Sequence, residues 1–148
     1  MPSYWLLVGE DETWISLLDK GYWAIKRIWK KKSRKIRKGD KAVAYVKFFS
    51  AIYGTIEIAS DPYYEENTSL LGEPPGSYPI RFKIKPDVFL KEPTSIRSLI
   101  KKLPFIRNKE RWYGYFQTSI KEISKEDYEL IISHLQKVLH QQPRIQGP

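Results

Sequence analysis

The stretch Gly21-Tyr22-Trp23-Ala24-Ile25-Lys26-Arg27-Ile28-Trp29-Lys30-Lys31-Lys32-Ser33-Arg34-Lys35-Ile36-Arg37-Lys38-Gly39-Asp40-Lys41-Ala42-Val43-Ala44-Tyr45-Val46 decides how the chain is read. Tyr22 to Ile25 is short, apolar and extended in character, and leads into a basic run. From Lys26 to Lys41 ten Lys or Arg stand against one acid, and the resulting +9 equals the net charge of all 148 residues. The charge is therefore a property of one segment. Nine of the thirteen residues from Lys26 to Lys38 are basic with no intervening acid, and such a run repels itself unless a polyanion neutralises it. Lys38-Gly39-Asp40 is a turn, and the mostly apolar Lys41 to Lys47 reads as a central strand. A basic run between an aromatic dipeptide and a buried strand points to a nucleic-acid surface beside an aromatic pocket.

Upstream, Tyr4 to Val8 reads as a first strand ending at Gly9. Asp11 is placed to cap a helix with Trp14, Leu17 and Leu18 on one face and Gly21 past its end. Downstream, Ile52, Gly54, Ile56 and Ile58 alternate with Tyr53, Thr55 and Glu57. An inward Gly54 implies a bend or a close backbone approach, as at a barrel corner. Residues 59 to 77 form a long loop carrying Tyr63, Tyr64, Leu70 and Leu71, in the manner of a binding wall. Tyr78 to Lys85 alternates again, with Ile80, Phe82 and Ile84 inward and Arg81, Lys83 and Lys85 outward. Thr94 or Ser95 opens a short helix that Pro104 ends. In Phe105 to Trp112 basic and aromatic residues interleave a second time, and Tyr113 to Ser119 fits either loop or strand. Ser124 to Asp127 fits a capping box for a helix carrying Tyr128, Ile131, Ile132, Leu135 and Val138.

The length suits one domain, residues 1 to 140, with a polar tail at 141 to 148. Strands interrupted by short helices make it α+β, with a sheet that curls into a partial barrel. The 41% apolar and 29% charged residues are those of a folded chain and not of a disordered basic tail. The absence of cysteine excludes disulfides and thiol catalysis. With no apolar run of roughly 18 residues and no signal-peptide pattern, a cytoplasmic protein with no membrane partner is expected. His134 and His140 fall off the apolar face of the last helix. No nucleophile elbow, Gly-rich phosphate loop or metal-spaced cluster is present, so neither catalytic residues nor cofactor nor metal is expected.

Of the five tryptophans, Trp5 and Trp14 lie on apolar faces and belong to the core; Trp23 and Trp29 do not. Trp23, at the mouth of the basic run, is placed to stack on a base. The phosphate-binding candidates are Lys26, Arg27, Lys30, Lys31, Lys32, Arg34 and Lys35, helped by Arg107, Lys109 and Arg111. Groups that would contact a base edge are the backbone at Ala24 and Ile25 or the side chains of Tyr45, Gln117 or Ser119. The competing readings are a nuclease or base-modifying enzyme and a basic protein-interaction module.

Tyr4-Trp5-Leu6, Trp14, Tyr22-Trp23-Ala24-Ile25, Lys38-Gly39-Asp40-Lys41, Gly54 to Glu57 with Ser60-Asp61-Pro62-Tyr63, Tyr78 to Ile84, Leu103 to Trp112 and Glu126-Asp127-Tyr128 together resemble an EVE domain over about residues 3 to 132. EVE domains belong to the PUA-like superfamily beside YTH domains. The resemblance implies a curled mixed sheet flanked by helices and a pocket for a flipped, modified base in DNA or RNA. It implies that Trp23 is the pocket tryptophan that follows the first helix, and that Tyr63, Tyr64 and Leu70 in the loop add cage walls. Trp112 stays open between pocket wall and core.

Overall fold

A computed structural model describes residues 2–141; of the tail expected at 141 to 148, only Gln141 lies within them, as the last residue of the final helix. The sheet is built on two parallel strands, β1 (Tyr4–Gly9) and β3 (Lys41–Val46), paired from Tyr4↔Lys41 to Gly9↔Val46. Both are buried on both faces. Trp5 and Leu7 join Ala42, Ala44 and Val46 in one core, while Leu6 and Val8 join Val43 and Tyr45 in a second. That two-sided burial is why these strands read as near-continuous apolar runs.

Between them run α1 (Asp11–Lys20), β2 (Tyr22–Ile25), a 3₁₀ turn at Arg27–Trp29 and α2 (Lys30–Ser33). After β3 come β4 (Ala51–Ile58), β5 (Tyr63–Tyr64), β6 (Ile80–Ser95), 3₁₀ turns at Arg97–Leu99 and Trp112–Phe116, β7 (Ile120–Ile123) and α3 (Lys125–Gln141). The order across the sheet is β2-β6-β4-β3-β1-β7, with β5 added to β6. α1 and β2 cover the first core. α3 and the segment 96–106 cover the second. This is the curled mixed sheet with flanking helices of the PUA-like fold, and α3, at 17 residues, spans the stretch that its capping box and apolar face marked out.

The turn at Lys38-Gly39-Asp40 is a clamp. Asp40 is buried, and its carboxylate accepts from Trp5 Nε1 at 2.9 Å, Ser3 N at 2.9 Å and Arg37 N at 2.9 Å. The capping box is present: Asp127 N donates to Ser124 Oγ at 3.1 Å, and Asp127 Oδ2 accepts from Ser124 N at 3.0 Å. Gly54 sits where expected of a tight approach, because a Cβ there would lie 2.2 Å from Val88 O and 2.7 Å from Phe89 Cα.

Several expectations are corrected. Asp11 does not cap α1; Glu10 holds the cap position without a side-chain bond, and the Asp11 carboxylate accepts the Tyr53 hydroxyl. The β4 alternation breaks at a bulge, since Ala44 pairs Gly54 but Tyr45 pairs Ile52. One extra residue inverts the side-chain period, so Ile52 enters the second core and Ile56 and Ile58 the first. β6 runs on to Ser95, where Thr94 or Ser95 was expected to open a helix. Pro86 and Pro93 stand at the shifts of register against β4, where a ladder N–H is dispensable. Arg81, expected outward and exposed, is covered by its neighbours. It is buried with its Nε donating to Tyr78 O at 3.2 Å and its guanidinium 5.3 Å from the Tyr22 ring centroid. Residues 112–116 are helical, and β7, which sequence periodicity did not separate from the loop before it, pairs antiparallel with β1.

Candidate functional site

Beyond the carboxyl ends of β1 and β3 the two cores do not close. Lys47 N donates to Gly9 O at 2.9 Å, tying the β3–β4 hairpin to the end of β1. A cavity opens on either side of this junction. The first, about 690 Å³, is lined by Trp23, Ala24 and Ile25 of β2, by Glu12, Thr13 and Ser16 of α1, and by Leu71, Glu73 and Tyr78. The second, about 500 Å³, is lined by Tyr45, Phe116, Gln117, Thr118, Phe48 and Tyr113. Both have Val8, Trp29, Lys47 and Ser119 in their walls, so they form two halves of one cleft. Trp29 also borders a third, shallower cavity with Lys32, Tyr115 and Lys121.

The first cavity is shaped by a tryptophan pair. Trp14 Nε1 donates to Tyr45 O at 2.9 Å, which fixes one indole, and Trp23 stacks on it with ring centroids 3.8 Å apart. Gly9 makes room for this arrangement, for a Cβ there would lie 2.5 Å from Trp23 Cη2. Trp23 is only 2% exposed, and its Nε1, in contrast to those of Trp5 and Trp14, is buried with no hydrogen-bond partner among the described residues. It is thus a wall of the cavity packed from behind and not an open platform. The half-buried, accessible indole is that of Trp29. In the second cavity Tyr45 stacks on Phe116 at 4.3 Å, and burial pushes the Tyr45 phenol above its ordinary value against the pull of Ser50 and Arg97. It is a neutral donor and acceptor at neutral pH.

The fold brings Trp23, Ala24, Ile25 and Lys26 together in the first half of the cleft, Tyr45 and Gln117 in the second, and Ser119 in both. It does not bring Tyr63, Tyr64, Leu70 or Trp112 there. Tyr63 and Tyr64 lie exposed on β6, and Tyr64 borders a separate small pocket with Lys30, Arg34 and Arg37. Leu70 is core, and its neighbour Leu71 is the residue that reaches the cleft. Trp112 packs on the second core under the Arg97 guanidinium. Sequence reading placed Leu71 in a wall-forming loop but singled out Leu70, and it passed over Lys47, Phe48, Tyr113 and the α1 residues Thr13 and Ser16. Only the tight chain reversals beside them hinted at their position.

Around the cleft the basic run is exposed, apart from Ser33 and Ile36, which anchor it. Lys32 lies 5.1 Å from the Trp29 ring and Lys26 5.7 Å from Tyr78, leaving cations beside aromatic walls. Lys31 and Lys35 are exposed. Arg27 pairs with Glu66. In the other basic segment Lys109 Nζ donates to Leu103 O at 2.7 Å, Arg111 is exposed, and Arg107 borders a shallow cleft with Tyr115 and Lys121. Among the described residues no group of three or more His, Cys, Asp or Glu is placed to hold a metal ion.

Comparison with known proteins bears on this geometry. The pattern of the EVE domain matches residues 3–134. A UPF0310 protein of Pyrococcus abyssi is 36% identical over 143 residues, 90% of this chain and 99% of the relative. A second, from Pyrococcus horikoshii, is 30% identical over 141 residues, 87% of this chain and 96% of the relative. Among solved structures, the YTH domain of a Zygosaccharomyces rouxii protein in complex with N6-methyladenosine RNA superposes with a TM-score of 0.67 at 16% identity, covering 90% of this chain and 86% of that one. An NMR structure from Rhodopseudomonas palustris gives 0.63 at 22% identity over 99% of both chains. At these identities the structural likeness concerns the fold.

Proposed function

The chain belongs to the EVE domain family, and from that premise we propose that it is a nucleic-acid-binding module that takes a modified base of DNA or RNA into the first half of the cleft and performs no chemistry on it. The observation that carries this reading is the cavity itself. It has a tryptophan-backed wall beside Leu71, polar α1 side chains opposite, and the basic run at its mouth.

The cavity lining is of mixed charge with an acidic excess, Glu10, Glu12 and Glu73 against Lys26 and Lys47. That excess favours a base over a phosphate as its occupant, whereas Lys30, Lys31 and Lys32 lie outside the lining. Carboxylates accept hydrogen bonds from the exocyclic amine of an adenine or cytosine, and they repel phosphate. Phosphates fit the flanking lysines, which position the strand without reading it. The buried Trp23 N–H, without a partner among the described residues, gains most from an acceptor on the base, because an unmade buried hydrogen bond costs about 1–3 kcal/mol.

A methyl mark alone is a weak signal. Burying one methyl group gives roughly 0.8 kcal/mol, about a fourfold preference. Discrimination beyond that comes from the polar ring of Ser16, Thr13 and Glu12 around the base edge. The test is affinity for short oligonucleotides carrying single methylated bases and for their plain counterparts, with wild type and with Ser16→Trp, which plugs the cavity from a half-buried helix position. The expected result is a modification preference in wild type that vanishes in Ser16→Trp while plain, salt-sensitive binding survives. Equal preference in both proteins would refute the assignment.

A further inference from the structure

The hairpin between β3 and β4 ends in two phenylalanines that the fold does not bury. Phe48 is 77% and Phe49 67% exposed, side by side at the rim of the cleft. The tip is also conformationally costly, because Phe48 has φ +74° and Ser50 φ +50°, values that non-glycine residues adopt at a penalty. It is nonetheless held firmly. Lys47 N is bonded to Gly9 O at 2.9 Å, and Ile96 N donates to Ser50 O at 3.0 Å, so both flanks are fixed. Nothing in the chain rewards a rigid aromatic projection there. Phe48 lines the second half of the cleft, whose wall at Trp29 and Lys47 is shared with the proposed base cavity. Lys47 Nζ lies 5.1 Å from the Phe48 ring and is exposed, which sets a cation for a phosphate next to an apolar blade.

We propose that Phe48 is a wedge for double-stranded nucleic acid: it enters the base stack of a duplex at the gap left when the neighbouring nucleotide is extruded into the cleft. The inference rests on the base-reading function and adds the partner's form, a duplex. Drawing a base out of a helix leaves its neighbours unstacked, and an apolar side chain inserted between base steps offsets that loss. A loose side chain would lose entropy on insertion; one on a pinned hairpin is already ordered.

The experiment uses the full chain and three probes of one sequence: an intact duplex, the same duplex with one central abasic nucleotide, and the single strand. The abasic duplex carries a ready-made gap and needs no extrusion. Wild type is expected to bind it roughly tenfold or more tightly than the intact duplex, on the scale of base–aromatic stacking. Phe48→Asn, which suits the left-handed backbone, is expected to abolish that difference, with a loss on the abasic duplex several-fold larger than on the single strand. The proposal is overturned if wild type binds both duplexes alike, if the variant keeps the abasic preference, or if it weakens the single strand equally. Failure of the base-reading function shows separately, as indifference of the single strand to methylation, and leaves the abasic comparison intact.

Discussion

Residues 26–38 and residues 105–112 are made of the same ingredients, cations interleaved with tryptophan and isoleucine, yet the fold uses them differently. In the first, Ser33 and Ile36 are buried and hold the segment down, while Trp29, Lys26 and Lys32 border the cleft and the shallower cavity beside it. In the second, the apolar residues are the anchors. Ile106 is buried and Phe105 and Trp112 pack on the second core. The polar groups close the turn on itself, Asn108 Oδ1 accepting from Glu110 N at 3.2 Å and Arg111 N at 3.3 Å, with Tyr115 Oη accepting from Asn108 N at 2.9 Å. Basic–aromatic interleaving is therefore no mark of a binding surface by itself. Both tryptophans pack against a core, and what separates them is that Trp29 also borders the cleft while Trp112 lines neither of its halves.

The strongest way to break this contrast is charge reversal in each segment. Changing Lys26, Lys30 and Lys32 together to Glu should lower oligonucleotide affinity about a hundredfold or more at low salt and flatten the log–log salt dependence by roughly 0.9 per lost duplex phosphate contact. Reversing Arg107, Lys109 and Arg111 should cost only a few-fold, on the scale of one phosphate contact. Equal losses, measured by salt-titrated binding, would erase the distinction.

The tryptophans sharpen it. Trp112→Ala should destabilise folding by about 2–4 kcal/mol, because it removes a ring packed on the core, with little effect on binding by the folded protein. Trp29→Ala should cost about 1–3 kcal/mol of binding, with some loss of stability because its ring also packs on the first core. Gly9→Ala should act on both quantities. Its methyl must displace Trp23, an overpacking cost of about 1–3 kcal/mol in denaturant unfolding, and the same displacement reshapes the cleft.

The smallest effect is a matter of pH. His134 of α3 is partly buried with its Nε2 unpartnered among the described residues. Burial, with lesser help from Lys137 and Lys102, holds its imidazole below the ordinary value. Since the folded state prefers the neutral ring, its contribution is complete above the unfolded value of about 6.5 and is lost as pH falls through the lower folded one. Unfolding curves of wild type should weaken through that window more than those of His134→Gln, while salt-corrected binding by residues 26–38 should not differ between the two proteins.

Much of the fold was legible because its signals are local. The two-sided strand Lys41 to Val46, the tight approach at Gly54 and the Ser124–Asp127 box each follow from a few neighbouring residues. Errors came where tertiary context inverts a local rule. The bulge opposite Ala44 and Tyr45 reversed the β4 faces, β6 continued past the point where a helix was expected to open, and Tyr22 with the Tyr78 and Thr68 carbonyls buried Arg81. At the site, Trp23, Ala24, Ile25 and Ser119 were identifiable from sequence. Which loop residue completes the wall was not, because Leu70 and Leu71 have the same side chain and only the chain reversal decides which faces the cleft.

The account's central claim is tested most directly by the indole N–H signals of the five tryptophans in ¹H–¹⁵N spectra, followed during titration with a modified oligonucleotide and its plain counterpart. Trp29 should move with both ligands, and Trp23 further with the modified one at equal concentration, as its N–H, unpartnered among the described residues, gains an acceptor. Trp5 and Trp112 should stay in place, the first bonded to Asp40 and the second packed on the core. Movement of Trp112 with Trp23 and Trp29 unmoved would put the ligand on the second basic segment and contradict the account.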